Sequence, residues 1–135
     1  MAAVDALEEA VPHPITVDPR PQVTTGPDGL PRVLGMRCRA CGEVAAYRWP
    51  RCPACRGAVE PAEFGPDGTV WSATVVRIPV SGRTPPYALA YVDLDAGPRV
   101  LAHVLPAGGP APVIGSRVRL AEATPTGDVQ VEVVP

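Results

Sequence analysis

Cys38-Arg-Ala-Cys41-Gly42 and Cys52-Pro-Ala-Cys55-Arg-Gly57, with ten residues between the two cysteine pairs, decide how this chain is read. A Cys-x-x-Cys turn places two sulfurs on one side of a tight knuckle, close enough to share one ion. Two such knuckles supply four thiolates in a tetrahedral set, which suits zinc. Gly42 and Gly57 follow the pairs at points where the chain must turn sharply and aim backbone N–H groups at sulfur. All four cysteines of the protein are used by this one arrangement. Cys38, Cys41, Cys52 and Cys55 are therefore the expected ligands of a zinc ribbon of the rubredoxin-like kind.

Composition frames the rest. The 135 residues allow one ordinary domain or two small ones. Apolar residues make up 46% of the chain and aromatics only 4%, so the core must be built from Val, Leu, Ala and Ile. Nineteen prolines and thirteen glycines favour short strands joined by tight turns over long helices. No run approaches the roughly 18 apolar residues that span a bilayer. The opening MAAVDALEEAV is acidic and lacks the basic-then-apolar order of a signal peptide, so a cytoplasmic protein is expected, in which paired cysteines hold metal rather than disulfides. The net charge is −2 and every basic residue is arginine. With no lysine there is no amine for a Schiff base. Between Pro31 and Glu60 six arginines face two glutamates, so the ribbon is basic and the remainder acidic.

Residues 1–29 read as an N-terminal arm. Val4, Leu7 and Val11 recur at helical spacing over residues 2–11, which can form a short amphipathic helix that Pro12 and Pro14 stop. Residues 12–30, with the turn Gly26-Pro-Asp-Gly29, are read as an irregular linker. Residues 30–60 form the ribbon, with strands expected over Leu30 to Met36 and Val44 to Trp49. Residues 61–135 are the expected barrel: a hinge spans Ala58 to Gly68, and strand patterning follows over Thr69 to Ile78, Tyr87 to Leu94, Arg99 to Leu105, Arg117 to Ala121 and Val129 to Val133. Tyr87 to Leu94 is almost continuously apolar and should be buried, at least in part, on both faces. Five short strands in some seventy residues predict a small closed or partly closed barrel, of the OB-fold or SH3-like type. The fold class is thus mainly β.

Four cysteine ligands fill the shell of a tetrahedral ion, so the site reads as structural, with redox and rubredoxin-type iron roles ranked below zinc. Other chemistry is thin. His13 lies in the arm; His103 should project from the face opposite Ala102 and Val104, as a structural or solvent-facing residue. Asp93 and Asp95 can share a side at a strand end, where turn formation and solubility explain them. No phosphate-binding glycine loop or Ser/His/Asp set is present, and no catalytic residue is assigned. Tyr47 and Trp49 interleave with Arg48 and Arg51, a pattern that stacks a base and grips phosphate. It suits a nucleic acid or coenzyme A, unless the two rings simply cover the ribbon's small apolar side. Net acidity, absent lysine and a barrel nearly devoid of exposed stacking aromatics argue against nucleic acid.

The order of parts resembles the zinc-ribbon plus OB-fold proteins that accompany thiolase-like enzymes, long grouped as a domain of unknown function. The residues that carry the likeness are Gly68-Thr-Val-Trp-Ser-Ala-Thr-Val-Val76, Pro86-Tyr-Ala-Leu-Ala-Tyr-Val-Asp-Leu-Asp95 and Ile114-Gly-Ser-Arg-Val118, placed behind the four cysteines. The resemblance covers about residues 30–135 and implies an OB-fold barrel. It further implies a non-catalytic accessory subunit in a hetero-oligomer, such as two plus two, with a thiolase-like enzyme. In that assembly zinc is structural, coenzyme A or acyl-CoA is a ligand shared with the partner, and catalysis belongs to the partner. Arg48, Trp49 and Arg51 are the candidate CoA contacts. The rival readings are a nucleic-acid-binding ribbon/OB module and a stand-alone acyl-CoA hydrolase.

Overall fold

The computed structural model describes residues 20–135, and among these every regular element is a strand. The helix expected over residues 2–11 lies outside them. Nine strands follow in order: β1 (Gln22–Thr25), β2 (Pro31–Cys38), β3 (Val44–Ala45), β4 (Val59–Phe64), β5 (Asp67–Val76), β6 (Tyr87–Leu94), β7 (Arg99–Leu105), β8 (Arg117–Ala121) and β9 (Gln130–Val133). β1 to β4 make the sheet that carries the knuckles. β2 is its spine: β1 pairs with Pro31 to Leu34 and β3 with Met36 and Arg37, while β4 runs antiparallel along Val33 to Cys38 on the other edge. Gly35 makes this crossing feasible, because a Cβ there would sit 1.9 Å from the carbonyl oxygen of Ala45.

Two segments differ from the sequence reading. Residues 22–25, read as linker, form β1, and residues 59–64, read as hinge, form β4. Neither shows the apolar alternation that marks a strand by itself, and β4 contains Pro61. Both form because β2 offers backbone groups on both edges that must be paired once buried. The expected strand over Val44 to Trp49 shrinks to two residues. Residues 46–51 lead on to the second knuckle without regular structure.

β5 to β9 close a barrel in the order β5-β6-β7-β9-β8, as the OB-fold expectation required. All its pairs are antiparallel except β7 with β9, which run parallel from His103 opposite Gln130 to Leu105 opposite Glu132. The inward residues are, apart from Leu120, small or β-branched: Ala88, Ala90 and Val92 on β6, Val100, Ala102 and Val104 on β7, Val118 and Leu120 on β8, Val131 on β9. Five strands enclose little space, which small side chains fill. The larger partners Tyr87, Leu89 and Tyr91 consequently point outward, so β6 is less buried on its outer face than the apolar run suggested. A bulge between Val70 and Ser72 turns Trp71 outward as well.

The sheet and the barrel share one core. Val33, Ala46 and Phe64 pack in the same buried cluster as Val70, Val92 and Leu120. Phe64, at the end of β4, lies against the turn after β6, where a Cβ on Gly97 would come within 2.8 Å of its ring.

Candidate metal centre and adjoining surface

Both knuckles are built alike. The amide of Cys38 donates to the carbonyl of Glu43 at 2.8 Å, and that of Cys52 to the carbonyl of Gly57 at 3.0 Å, closing each turn on its first cysteine. The residue after each second cysteine takes the left-handed conformation: Gly42 at φ 78° in the first knuckle and Arg56 at φ 64° in the second. Gly57 is needed for a different reason. A Cβ there would lie 3.1 Å from the Cys55 sulfur and 3.3 Å from the Cys38 sulfur.

The four cysteines meet as their spacing predicts, every sulfur within 4.8 Å of the others. Cys38 Sγ lies 3.5 Å from Cys55 Sγ, and Cys41 Sγ 3.6 Å from Cys52 Sγ. Those separations are far beyond the ~2.05 Å of a disulfide. They approach the ~3.8 Å edge of a tetrahedron whose centre is ~2.3 Å from each sulfur. Amides aim at the sulfurs: Ala40 and Cys41 donate to Cys38 at 3.3 and 3.4 Å, Ala54 to Cys52 at 3.4 Å, and Gly57 to Cys55 at 3.3 Å. Such bonds favour thiolate, as metal-bound sulfur requires.

The electrostatics of the four thiols show why they suit a cation. The Cys41 amide leads in pulling the Cys38 thiol down to about 6. Cys41 moves to about 12: the Glu43 backbone bond favours its thiolate, but the neighbouring sulfurs and burial together outweigh it. Cys55 is also raised, with the Gly57 amide pulling down and the Cys38 sulfur leading the opposing push. One thiolate forms readily and then resists its neighbours. A dication among them removes that resistance. The donor set fits a closed four-sulfur metal site.

Beside it, Tyr47 and Trp49 are 41% and 47% exposed and meet edge to face with ring centroids 6.2 Å apart. Arg48 and Arg51 are exposed, and neither forms an ion pair among the described residues. His103 projects outward as expected and rests on Tyr87, centroids 5.7 Å apart. Burial lowers its pKa, Arg83 adds to that effect, and Asp128 opposes it. Asp93 and Asp95 do not form a carboxylate pair. Arg99 binds Asp93 at 2.6 Å and Arg117 binds Asp95 at 2.5 Å, and these hydrogen bonds hold both carboxyls below their usual range.

The barrel corrects one expectation. Trp71 and Tyr91 are 50% and 45% exposed, so the wall does carry aromatics. Their rings are already engaged: the two meet edge to face at 6.2 Å, and the Arg99 guanidinium lies 3.6 Å from the Trp71 centroid. The readable signal was the alternation of Tyr87, Leu89 and Tyr91 with Ala88 and Ala90, large residues out and small ones in.

Comparison with known proteins agrees with this architecture. Residues 62–122 match the family described as ChsH2, C-terminal OB-fold domain. A DUF35 domain-containing scaffold protein of Pyrococcus furiosus is 38% identical over 76 residues, 54% of this chain and 55% of that protein. A protein of the same description from Methanothermobacter thermautotrophicus is 30% identical over 92 residues, 65% of this chain and 69% of that one. The benzoylsuccinyl-CoA thiolase subunit BbsA of Geobacter metallireducens is 34% identical over 77 residues, 56% of this chain and 52% of the subunit. The chain thus spans about half the length of two of these relatives. Among solved structures, a chain of the Ltp2-ChsH2(DUF35) aldolase superposes with a TM-score of 0.61 at 29% identity, covering 76% of this chain and 84% of that one. No helix among the described residues is long and apolar enough to cross a membrane. With its four-cysteine sheet set before a closed OB-fold barrel, this chain belongs to the DUF35 family.

Proposed function

We propose that this chain is a non-catalytic accessory subunit of a thiolase-superfamily acyl-CoA enzyme, which it stabilises and whose CoA channel it helps to form. One observation carries the reading: a four-thiol centre that would leave a tetrahedral ion no open position, in a chain similar to proteins named as a scaffold and as a thiolase subunit. Cys38, Cys41, Cys52 and Cys55 hold zinc, whose contribution is to fold the ribbon rather than to activate water or substrate. Arg48 and Arg51 lie on either side of Trp49 in sequence and offer guanidinium groups to phosphate and an indole to adenine. Catalytic groups come from the partner.

The test is co-expression of the full chain with a thiolase-fold protein from the same genome, followed by size-exclusion chromatography and CoA titration. A stable hetero-oligomer is expected whose CoA affinity falls about tenfold in Arg48→Ala or Arg51→Ala, the loss of one charge-assisted contact of ~1.5 kcal/mol. A chain that stays alone and turns over acyl-CoA unaided would overturn the reading. Tight, steeply salt-dependent binding of single-stranded RNA or DNA would redirect it to the nucleic-acid alternative.

A further inference from the structure

A band of outward aromatic and aliphatic side chains leads from the barrel wall to the ribbon across a cleft that Arg83, Thr126 and Asp128 also line. It begins at Trp71, whose ring meets Tyr91. Tyr91 pairs with Leu101 on β7, and on the same outer face Leu89 pairs with His103. His103 rests on Tyr87. From there a cleft of about 530 Å³ opens, walled by Leu101, Tyr87 and Val80 on the barrel side and by Tyr47 on the ribbon side. Tyr47 leads on to Trp49. The band thus crosses both halves of the molecule.

Its size is that of an interface. Four half-exposed aromatic rings contribute about 100 Å² each, and the aliphatic side chains bring the apolar total to on the order of 500 Å². A standard interface buries about 800 Å² per partner, a little over half of it apolar. The composition agrees, since Trp, Tyr and Arg dominate binding energy at such surfaces. The bordering charges have one sign in excess: Arg20, Arg48, Arg51, Arg83 and Arg99 against Asp93 and Asp128. Asp128 is bonded by Arg20 and Arg83, and Asp93 by Arg99, which leaves the arginines of the ribbon end to meet carboxylates from outside. A second copy would offer arginines rather than carboxylates at its own ribbon end, so docking it here leaves the cationic excess without opposite charge.

We propose that this band is the docking face for the thiolase-like subunit, and that the partner presents an apolar patch flanked by Asp or Glu. The inference rests on the accessory-subunit reading. Affinity of the full chain for the same thiolase-fold protein, measured by surface plasmon resonance, tests it. Trp71→Ala and Leu101→Glu alter half-exposed side chains, so folding should persist, checked by metal content and melting. Each is expected to weaken binding on the order of 30-fold, with wild-type affinity falling as salt rises. Glu63→Ala, exposed on β4 and outside the band, should bind as wild type. If the wild type binds and both band variants match it within twofold, this face is wrong while the accessory reading stands. If the wild type does not bind, both fail. A wild-type homodimer that Leu101→Glu dissolves would assign the face to a second copy. Loss of hydrogen-exchange protection in residues 1–19 of the lone chain on Leu101→Glu would assign it to this chain's own acidic arm. Either result overturns the proposal.

Discussion

Phe64→Ala should uncouple the ribbon sheet from the barrel, and the size of the effect follows from where the ring sits. Phe64 is 3% exposed, packs in the common core, and faces Gly97 on one side with the Arg37 guanidinium 5.8 Å from its centroid. Removing a buried phenyl ring costs about 3–5 kcal/mol once the cavity is included. Against a net stability of roughly 5–15 kcal/mol, that is a large share. Unfolding entropy of ~2.1 cal/mol/K per residue over the described chain converts each kcal/mol into about 4 °C, so the melting temperature should fall by about 12–20 °C. Circular dichroism melts at fixed pH and fixed zinc measure it, since bound metal shifts the midpoint by mass action. The same contact can be probed from the other side. Gly97→Ala drives a Cβ into the ring and should cost ~1–3 kcal/mol in the wild type, but almost nothing in the Phe64→Ala background, where the ring is gone. Strictly additive losses in the double mutant would refute the shared contact. So would a drop of less than about 4 °C for Phe64→Ala.

The remaining predictions concern the sheet, the metal and the one outward histidine. Gly35→Ala meets a backbone oxygen rather than a flexible side chain and should destabilise by about 3 kcal/mol through displacement of β3, seen as lost protection of the Met36 and Ala45 amides. Cys38→Ser or Cys52→Ser should give insoluble or unfolded protein, because zinc held structurally at this cluster would supply about 10–16 kcal/mol of apparent binding energy, comparable with the whole stability. A chelated wild type that melts unchanged contradicts a structural metal. His103 titrates below 6.5 in the folded chain, so as pH falls the unfolded chain takes up the proton first, and the stability held above pH 6.5 declines toward the folded pKa. In NMR titrations Asp128→Asn should lower the His103 pKa further and Arg83→Met should raise it, with His13 as the internal reference; opposite signs would dismiss the proposed electrostatic neighbours.

The four cysteines were legible because their chemistry is local: two tight turns fix two sulfurs each, and only the pairing of turns is long range. β6, β7 and β8 were legible because alternation against a small core writes itself into sequence as Ala88, Ala90 and Val92 or as Val118 and Leu120. β1 and β4 were not, because their strand character comes from β2, whose two edges need partners; nothing in Gln-Val-Thr-Thr or Val-Glu-Pro-Ala-Glu-Phe announces that need. The surface was half legible. Tyr47 to Arg51 stood out as a cluster in sequence, whereas Trp71, Tyr91 and Leu101 lie on three strands and become neighbours only through register, with the bulge at Trp71 setting its direction.

The metal centre and the band are connected by short mechanical steps. Cys38 ends β2 and pairs with Val59 at the start of β4. At its other end, β4 delivers Phe64 to the barrel core beside Gly97, in the turn that joins β6 to β7. Those two strands carry Tyr91, Leu101 and His103 on their outer face. The ribbon segment that begins with β3 supplies Tyr47 to the same cleft. A cation drawing four sulfurs together would therefore fix the register of β2 with β4, and with it the position of one half of the band relative to the other. The centre needs no chemistry of its own to matter for function. On the proposed reading its contribution would be to hold two surfaces at one spacing, which a partner subunit touching both would recognise only while the ribbon is folded.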